Sequence, residues 1–125
     1  MIREYFLEEF RKILLIDHNT YSLIIVDTYP CDISITDIPT SINGNIESIK
    51  IDNIEYYVIT INVNRNYIYR MEIDIVCLGY RGVCEVINLK IFVDRKFNDL
   101  EEGDIISIVK IAEEELKQLK LCIDV

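Results

Sequence analysis

The sequence predicts an α+β domain: an N-terminal helix, a five- or six-stranded antiparallel meander sheet, and a C-terminal helix packed on one face. Three stretches rich in Ile, Val and Tyr alternate between apolar and polar residues, which is the period of a half-buried strand. Turn residues separate them, and both ends of the chain carry apolar residues at helical spacing. We expect residues 1–125 to form one domain, because this length suffices for one hydrophobic core.

The N-terminal segment, residues 2–16, is predicted to be an amphipathic helix. Its large apolar residues recur at steps of three and four, and charged residues fill most of the positions between them. The apolar stripe consists of Ile2, Phe6, Phe10, Ile13 and Leu14.

Three short strands are predicted next, at residues 21–28, 33–38 and 46–51. A proline follows the second, which favours an edge strand because proline cannot donate to a ladder. Asn43-Gly44 is a strong hairpin signal between the second and third strands. Asp52-Asn53 then turns the chain so that Lys50 faces Glu55.

The centre of the chain is predicted to be a meander of strands at 54–63, 67–77 and 83–94. Nearly all odd-numbered residues in these strands are apolar, so each strand presents one apolar face. Residues 64–66 and 80–82 suit three-residue hairpin loops, whose last residues, Asn66 and Gly82, adopt the left-handed conformation. The facing pairs that result are Ile59–Met71, Ile73–Leu89 and Glu72–Lys90.

This register separates the two cysteines that flank the second loop. Cys77 points to the apolar face and Cys84 to the other face, so we expect no disulfide between them. None of the four cysteines has the close spacing of a zinc site. The sequence therefore predicts four free thiols.

A C-terminal helix is predicted over residues 104–120. Apolar residues recur there at helical spacing, and basic residues near the end suit the helix dipole. Asp99 followed by Glu102 resembles a capping box, and Asp104 is a rival cap. A strand start at 103–106 is the alternative, because the residues that follow are rich in isoleucine.

The composition limits the classes of function. A formal charge of −9 argues against direct binding to the nucleic-acid backbone, and the apolar runs are too short to cross a membrane. The acidic N-terminus lacks the apolar core of a signal peptide, so we expect a cytoplasmic protein, or one of the host cytoplasm if it is viral. Isoleucine makes up a fifth of the chain. This suggests an A/T-rich genome such as that of an archaeon or one of its viruses and leaves the source open.

The predicted order of strands followed by a long acidic closing helix, carried by residues 86–93 and 99–119, resembles small acidic chaperones of the type III secretion class and the related YbjN-like domains. The resemblance implies a role in binding another protein. The internal helix usual in those domains has no counterpart in this sequence.

Catalytic patterns are absent from the sequence. His18 is the only histidine, and a surface histidine beside a turn is the simpler interpretation. The serines and glycines form neither a nucleophile elbow nor a phosphate-binding loop. We therefore expect no catalytic residues, no metal site and no cofactor.

The even-numbered face of the meander offers one alternative. Glu72, Asp74 and Lys90 on paired strands are similar to the acids and lysine of metal-dependent nucleases. Asn88 stands where a further acid would be needed, which leaves few oxygen ligands for a hard cation. A solvated face tied by cross-strand pairs explains the same residues.

We expect the same face to bind a partner, because apolar residues frame its charged centre. The predicted function is a non-catalytic protein-binding module, namely a small acidic adaptor, chaperone or inhibitor that acts on a protein or nucleoprotein complex. An inhibitor that mimics nucleic acid is the sharper version. We also expect the chain to form a homodimer. The divergent metal-dependent nuclease is the alternative function. The predicted partner-binding residues are Ile68, Arg70, Glu72, Asp74, Val86, Asn88, Lys90 and Phe92.

Overall fold

One antiparallel sheet of eight strands and one long helix make up the structure, a computed structural model that describes residues 2–9, 11–17, 23–26, 31–34, 42–78 and 82–119. A short 3₁₀ helix at Phe97–Asp99 joins the last strand to the helix, α1, at Glu102–Gln118. The strands are β1 (Ile2–Leu7), β2 (Lys12–Asp17), β3 (Leu23–Val26), β4 (Cys31–Ser34), β5 (Gly44–Ile51), β6 (Ile54–Arg65), β7 (Ile68–Leu78) and β8 (Val83–Val93).

The sheet order is β1-β2-β3-β8-β7-β6-β5, with β4 also paired to β8. β3 pairs with residues 89–92 of β8 and β4 with residues 83–86, both antiparallel. β3 and β4 therefore lie end to end along one side of β8. β5, β6, β7 and β8 follow one another on the other side as the predicted meander.

The predicted N-terminal helix is wrong: its residues form the β1–β2 hairpin, in which Leu7 pairs with Lys12. Arg11 has a φ of 52° in the connecting turn. Steps of four residues fit both a helix and a strand, so the apolar stripe did not distinguish the two. Alternation buries Leu7, Leu14 and Ile16, and β2 extends the sheet beside β3. The fold is thus mostly β. The described chain begins with a strand, so the predicted order of a helix, strands and a closing helix does not hold.

The hairpin predicted at Asn43-Gly44 is also wrong. β4 lies beside β8, whereas β5 pairs with β6 at the far edge of the sheet. The following turn is confirmed, because Lys50 pairs with Glu55 and Asp52 adopts a φ of 54°.

The C-terminal helix is confirmed, although it begins two residues earlier than predicted. Glu101 is its N-cap, and the Glu101 backbone N–H donates to Asp104 Oδ2 at 3.0 Å. Asp104 is therefore part of the cap, whereas Asp99 belongs to the 3₁₀ helix. No described helix is both long and apolar enough to cross a membrane.

The hydrophobic core lies between α1 and one face of the sheet. Every second residue of β7 from Met71 to Cys77 is buried, and these side chains form one cluster with the buried face of α1. We call this side of the sheet the core face and the opposite side the outer face. The helical contribution consists of Ile105, Ile108, Val109, Ile111, Ala112 and Leu116.

The β6–β7 turn anchors α1 on the sheet. The Arg65 guanidinium contacts Glu114 Oε2 at 2.8 Å and Glu115 Oε1 at 3.5 Å. The hydrogen bond to Glu114 raises the pKa of the Arg65 guanidinium, because it favours the charged form. Asn66 Nδ2 donates to Ser107 Oγ at 2.7 Å. These two contacts fix the helix at points separated by about two turns.

β1 is held against the far end of the core by an aromatic contact. The rings of Tyr5 and Phe97 meet edge to face, with centroids 5.9 Å apart. Burial, and then the charge of Glu102, raise the pKa of the Tyr5 hydroxyl. The N-terminal hairpin therefore touches the segment that leads into α1.

Truncation of one isoleucine on each face tests the assignment of faces. Ile73 is 0% exposed and Ile49 is 62% exposed. Ile73→Ala should lower the free energy of unfolding by roughly 2–5 kcal/mol, because it leaves a cavity in the core. Ile49→Ala should change it by less than about 0.5 kcal/mol. Urea denaturation checks both, and equal losses would contradict the assignment.

Alanine at two glycines should have opposite effects on stability. A Cβ at Gly44 would clash with the Thr60 carbonyl of the neighbouring strand, whereas a Cβ at Gly103 meets nothing within 4 Å. Gly44→Ala should destabilise by about 1–3 kcal/mol because β5 must move away from β6. Gly103→Ala should stabilise by up to about 1 kcal/mol because it lies in α1. Thermal denaturation of both variants provides the comparison, and a shared sign would contradict the prediction.

Candidate binding surface

The outer face of the sheet carries most of the residues that the sequence predicts as a site. Residues that pair across neighbouring strands lie side by side on one face, so the outer face is built of rows that cross β6, β7 and β8. Three polar rows occupy its middle: Asn62–Arg70–Phe92, Thr60–Glu72–Lys90 and Val58–Asp74–Asn88.

The charged centre of these rows is tied together through Asp74. Lys90 Nζ lies 3.8 Å from Asp74 Oδ2, and Asn88 Nδ2 donates to the same oxygen at 3.4 Å. Lys90 is the cross-strand neighbour of Glu72, as predicted, but it forms its ion pair with Asp74. All three side chains are half-buried. The centre is thus a partly solvated network that holds β7 and β8 in register.

One end of the face is an arginine–aromatic cluster. The Arg70 guanidinium carbon lies 4.2 Å from the centroid of the Phe92 ring and 5.9 Å from that of Tyr69. The two rings are 6.2 Å apart. Stacking on an aromatic ring stabilises a guanidinium and fixes its orientation. Arg70 Nε is buried and has no hydrogen-bond partner among the residues that the structure describes.

The opposite end of the face is apolar, and the predicted site did not include it. The last row consists of Ile51, Ile54, Leu78 and Val83, and the row before it begins with Ile49, Tyr56 and Val76. Ile49 and Ile51 are 62% and 57% exposed. The predicted pairing of Lys50 with Glu55 could have revealed this end, because the same register places Ile49 beside Tyr56.

Two predicted site residues, Ile68 and Val86, lie in the core instead, with exposures of 2% and 1%. Each stands beyond a β-bulge, where one extra residue reverses the facing of the strand. Tyr69 is the extra residue between the pairs Ile68–Val93 and Arg70–Phe92. Ile87 is the extra residue in β8, since Asp74 pairs with Asn88 but Ile75 pairs with Val86.

The bulge at Ile87 also overturns the prediction for the cysteines. It turns Cys84 to the core face, where it pairs with Cys77, and the two form a disulfide. Both sulfur-bearing side chains are buried in the core cluster. The four free thiols predicted from sequence are therefore wrong for this pair. Cys31 and Cys122 lie outside the side chains that the structure describes, as does His18.

The large exposed apolar side chains of the described residues lie on the outer side of the sheet, from β1 at one edge to β5 at the other. Alternation along the strands places six of them on the outer face, and Tyr69, at a bulge, joins them through its contact with Phe92. Ile87 stands at the other bulge, beside this face. The core face has none among the residues that the structure describes. The set on the outer face is Phe6, Ile13, Ile49, Ile51, Tyr56, Tyr69 and Val83.

The residues proposed for the nuclease alternative do lie together, but in a different arrangement from a metal site. Asp74 is shared between Lys90 and Asn88, and Glu72 is the only other acid in the three polar rows. No group of three acidic, histidine or cysteine side chains that could hold a metal ion occurs in the described ranges.

Comparison with protein families, with curated proteins and with solved structures gave no match.

Peptide mapping tests the Cys77–Cys84 disulfide and the bulge that it requires. Trypsin cleaves after Arg70, Arg81 and Lys90, so each cysteine falls in its own peptide. Without reduction, peptides 71–81 and 82–90 should appear as one species whose mass is the sum of both minus two hydrogens. After reduction they should separate. Two separate peptides before reduction, with thiols blocked at lysis, would contradict the structure.

Proposed function

We propose that this chain is a non-catalytic protein-binding module that holds its partner on the outer face of the sheet. The observation that carries this proposal is the gathering of the exposed large apolar side chains on the face opposite α1. Antiparallel sheets that leave one face to water tend to be polar there. A face with apolar ends and a charged centre is better suited to a protein surface.

The chemistry of the face favours a protein partner over nucleic acid. Tyrosine, phenylalanine and arginine are enriched where proteins meet, and Tyr69, Arg70 and Phe92 form a cluster of these types. The chain carries a net charge of −9, which opposes contact with a phosphate backbone. A basic protein, or the protein part of a nucleoprotein complex, suits the charge better.

Within this class, we propose a small acidic adaptor, chaperone or inhibitor. The net charge of −9 supports the acidic character of this proposal. An inhibitor that presents acidic groups in place of nucleic acid, of the kind viruses direct at host defence complexes, is the narrower form of the proposal.

Photo-crosslinking from defined positions tests whether the outer face binds. A benzophenone amino acid replaces Tyr69, at the aromatic end of the outer face, or Lys110 or Lys117, which are exposed on α1. In extract of the source cells, we expect a discrete adduct from position 69 and none from positions 110 and 117. Adducts of the same mass from all three positions would contradict a preferred face.

Competition makes this experiment specific. Unlabelled wild-type protein should suppress the adduct, whereas Phe92→Glu should not, because it places a charge within the aromatic cluster. Lys110→Gln changes the net charge by the same amount and should compete as well as wild type. Circular dichroism confirms that both variants are folded. Suppression by Phe92→Glu at the wild-type concentration would refute binding on this face.

A further inference from the structure

We propose that β5 pairs with β5 of a second copy of this chain, antiparallel and across a two-fold axis perpendicular to the sheet. β5 is the last strand of the sheet, and only β6 pairs with it among the described strands. Seven of its eight residues are exposed. An edge of this length presents a row of backbone donors and acceptors to another strand.

The register of β5 on β6 shows which backbone groups face outward. The Asn62 N–H donates to the Asn43 carbonyl at 2.9 Å, one residue before β5 begins. Hydrogen-bonded pairs in an antiparallel ladder recur every two residues, so the odd residues of β5 bond to β6. The N–H and carbonyl groups of Ile46, Ser48 and Lys50 therefore point away from the sheet.

Symmetry and charge then select one register. A two-fold axis perpendicular to the sheet keeps the same face upward in both copies, so even residues must pair with even residues. Placing Glu47 or Lys50 on the axis would set like charges opposite each other. Of the other positions, an axis at Ser48 gives the longest contact, because it pairs residues 45–51. An axis at Ile46 or Ile49 pairs only 44–48 or 47–51. We place Ser48 on the axis, which sets Ile49 opposite the partner's Glu47.

Pairing at this edge also changes the position of the apolar end of the outer face. Ile49, Ile51 and Tyr56 lie at the margin of one copy, beside β5. With Ser48 on the axis, Ile49 lies diagonal to the partner's Ile49, and Ile51 lies opposite the partner's Asn45. Both apolar ends therefore come to lie inside one continuous sheet, on the same face. β5 itself carries one acid and one base, which avoids the repulsion that a chain of net charge −9 meets elsewhere.

The dimer should be weak and dependent on concentration. Seven paired residues extend over roughly 23 Å of strand, and one layer of side chains contributes on each face. Such a contact is smaller than the roughly 800 Å² per partner that a stable interface buries. The association is therefore measured best by sedimentation equilibrium between about 10 µM and about 1 mM.

Charge substitutions at Ile49 test the register directly. Ile49→Lys places a lysine opposite the partner's Glu47, and Ile49→Glu places two acids together, twice in each dimer by symmetry. We expect the dimer of Ile49→Lys to be roughly 2- to 30-fold tighter than that of Ile49→Glu. Phe6→Lys and Phe6→Glu are the controls: Phe6 is similarly exposed, on the edge strand β1. Their two dissociation constants should agree closely.

Any one of four results would overturn the proposal. The first is a wild-type chain that stays at its monomer mass of 14.7 kDa at about 1 mM. The second is a difference in dissociation constant between the two Phe6 variants as large as that between the two Ile49 variants. The third is an equal weakening of the dimer by both Ile49 variants, which would place Ile49 on the axis. Ser48→Pro adds a backbone test, because it removes an outward N–H to which no described strand of the monomer pairs. A folded Ser48→Pro that still dimerises would also overturn it. None of these results depends on the partner of the outer face.

Discussion

The structure depends on the pairing of β7 with β6 on one side and β8 on the other. β7 lies inside the sheet, and its alternating residues supply the middle of both faces. Met71, Ile73 and Ile75 face the core, whereas Glu72 and Asp74 face outward. α1 packs on the first set, and the polar rows form around the second. A shift of one residue in β7 would exchange the two faces. Both the core and the candidate surface therefore depend on the same ladder.

The parts of the fold that local sequence determines were predicted well. The meander, the closing helix and the left-handed residues Asn66 and Gly82 follow from alternation, helical spacing and turn chemistry, and the structure confirms them. The N-terminal hairpin could not be identified in the same way. Its i, i+4 apolar residues satisfy both periods, and only the neighbouring strand β3 decides between them. A strand was predicted there, at residues 21–28, but its pairing was not, because its place in the sheet depends on β8.

The predicted site covers the middle of the outer face and its Arg70–Phe92 end, and it leaves out the apolar end beside β5. The Glu72–Lys90 and Ile73–Leu89 pairs stand as predicted, whereas β6 is displaced by two residues along β7, so Ile59 meets Ile73 instead of Met71. A shift of two preserves the facing of every side chain, which is why this error did no harm to the assignment of faces. The bulges at Tyr69 and Ile87 each insert a single residue, and that is enough to move Ile68 and Val86 into the core. The extra residue in β8 is not visible in the alternating pattern, since Ile87 continues the odd-numbered apolar series of Leu89 and Ile91.

The long connection from β3 and β4 to β8 has a consequence for the order in which the chain can fold. From β5 to α1 each element packs beside the one that precedes it, so this part needs only short loops to close. β1 to β4 attach to the sheet through β8, whose residues lie 49 to 69 positions further along the chain than their partners in β3 and β4. Contacts of such separation form slowly. During synthesis the first four strands leave the ribosome before their place in the sheet exists, and Leu14 and Ile16 stay without a core until β8 has been translated. The N-terminal third of the chain is therefore the part most prone to aggregate during synthesis.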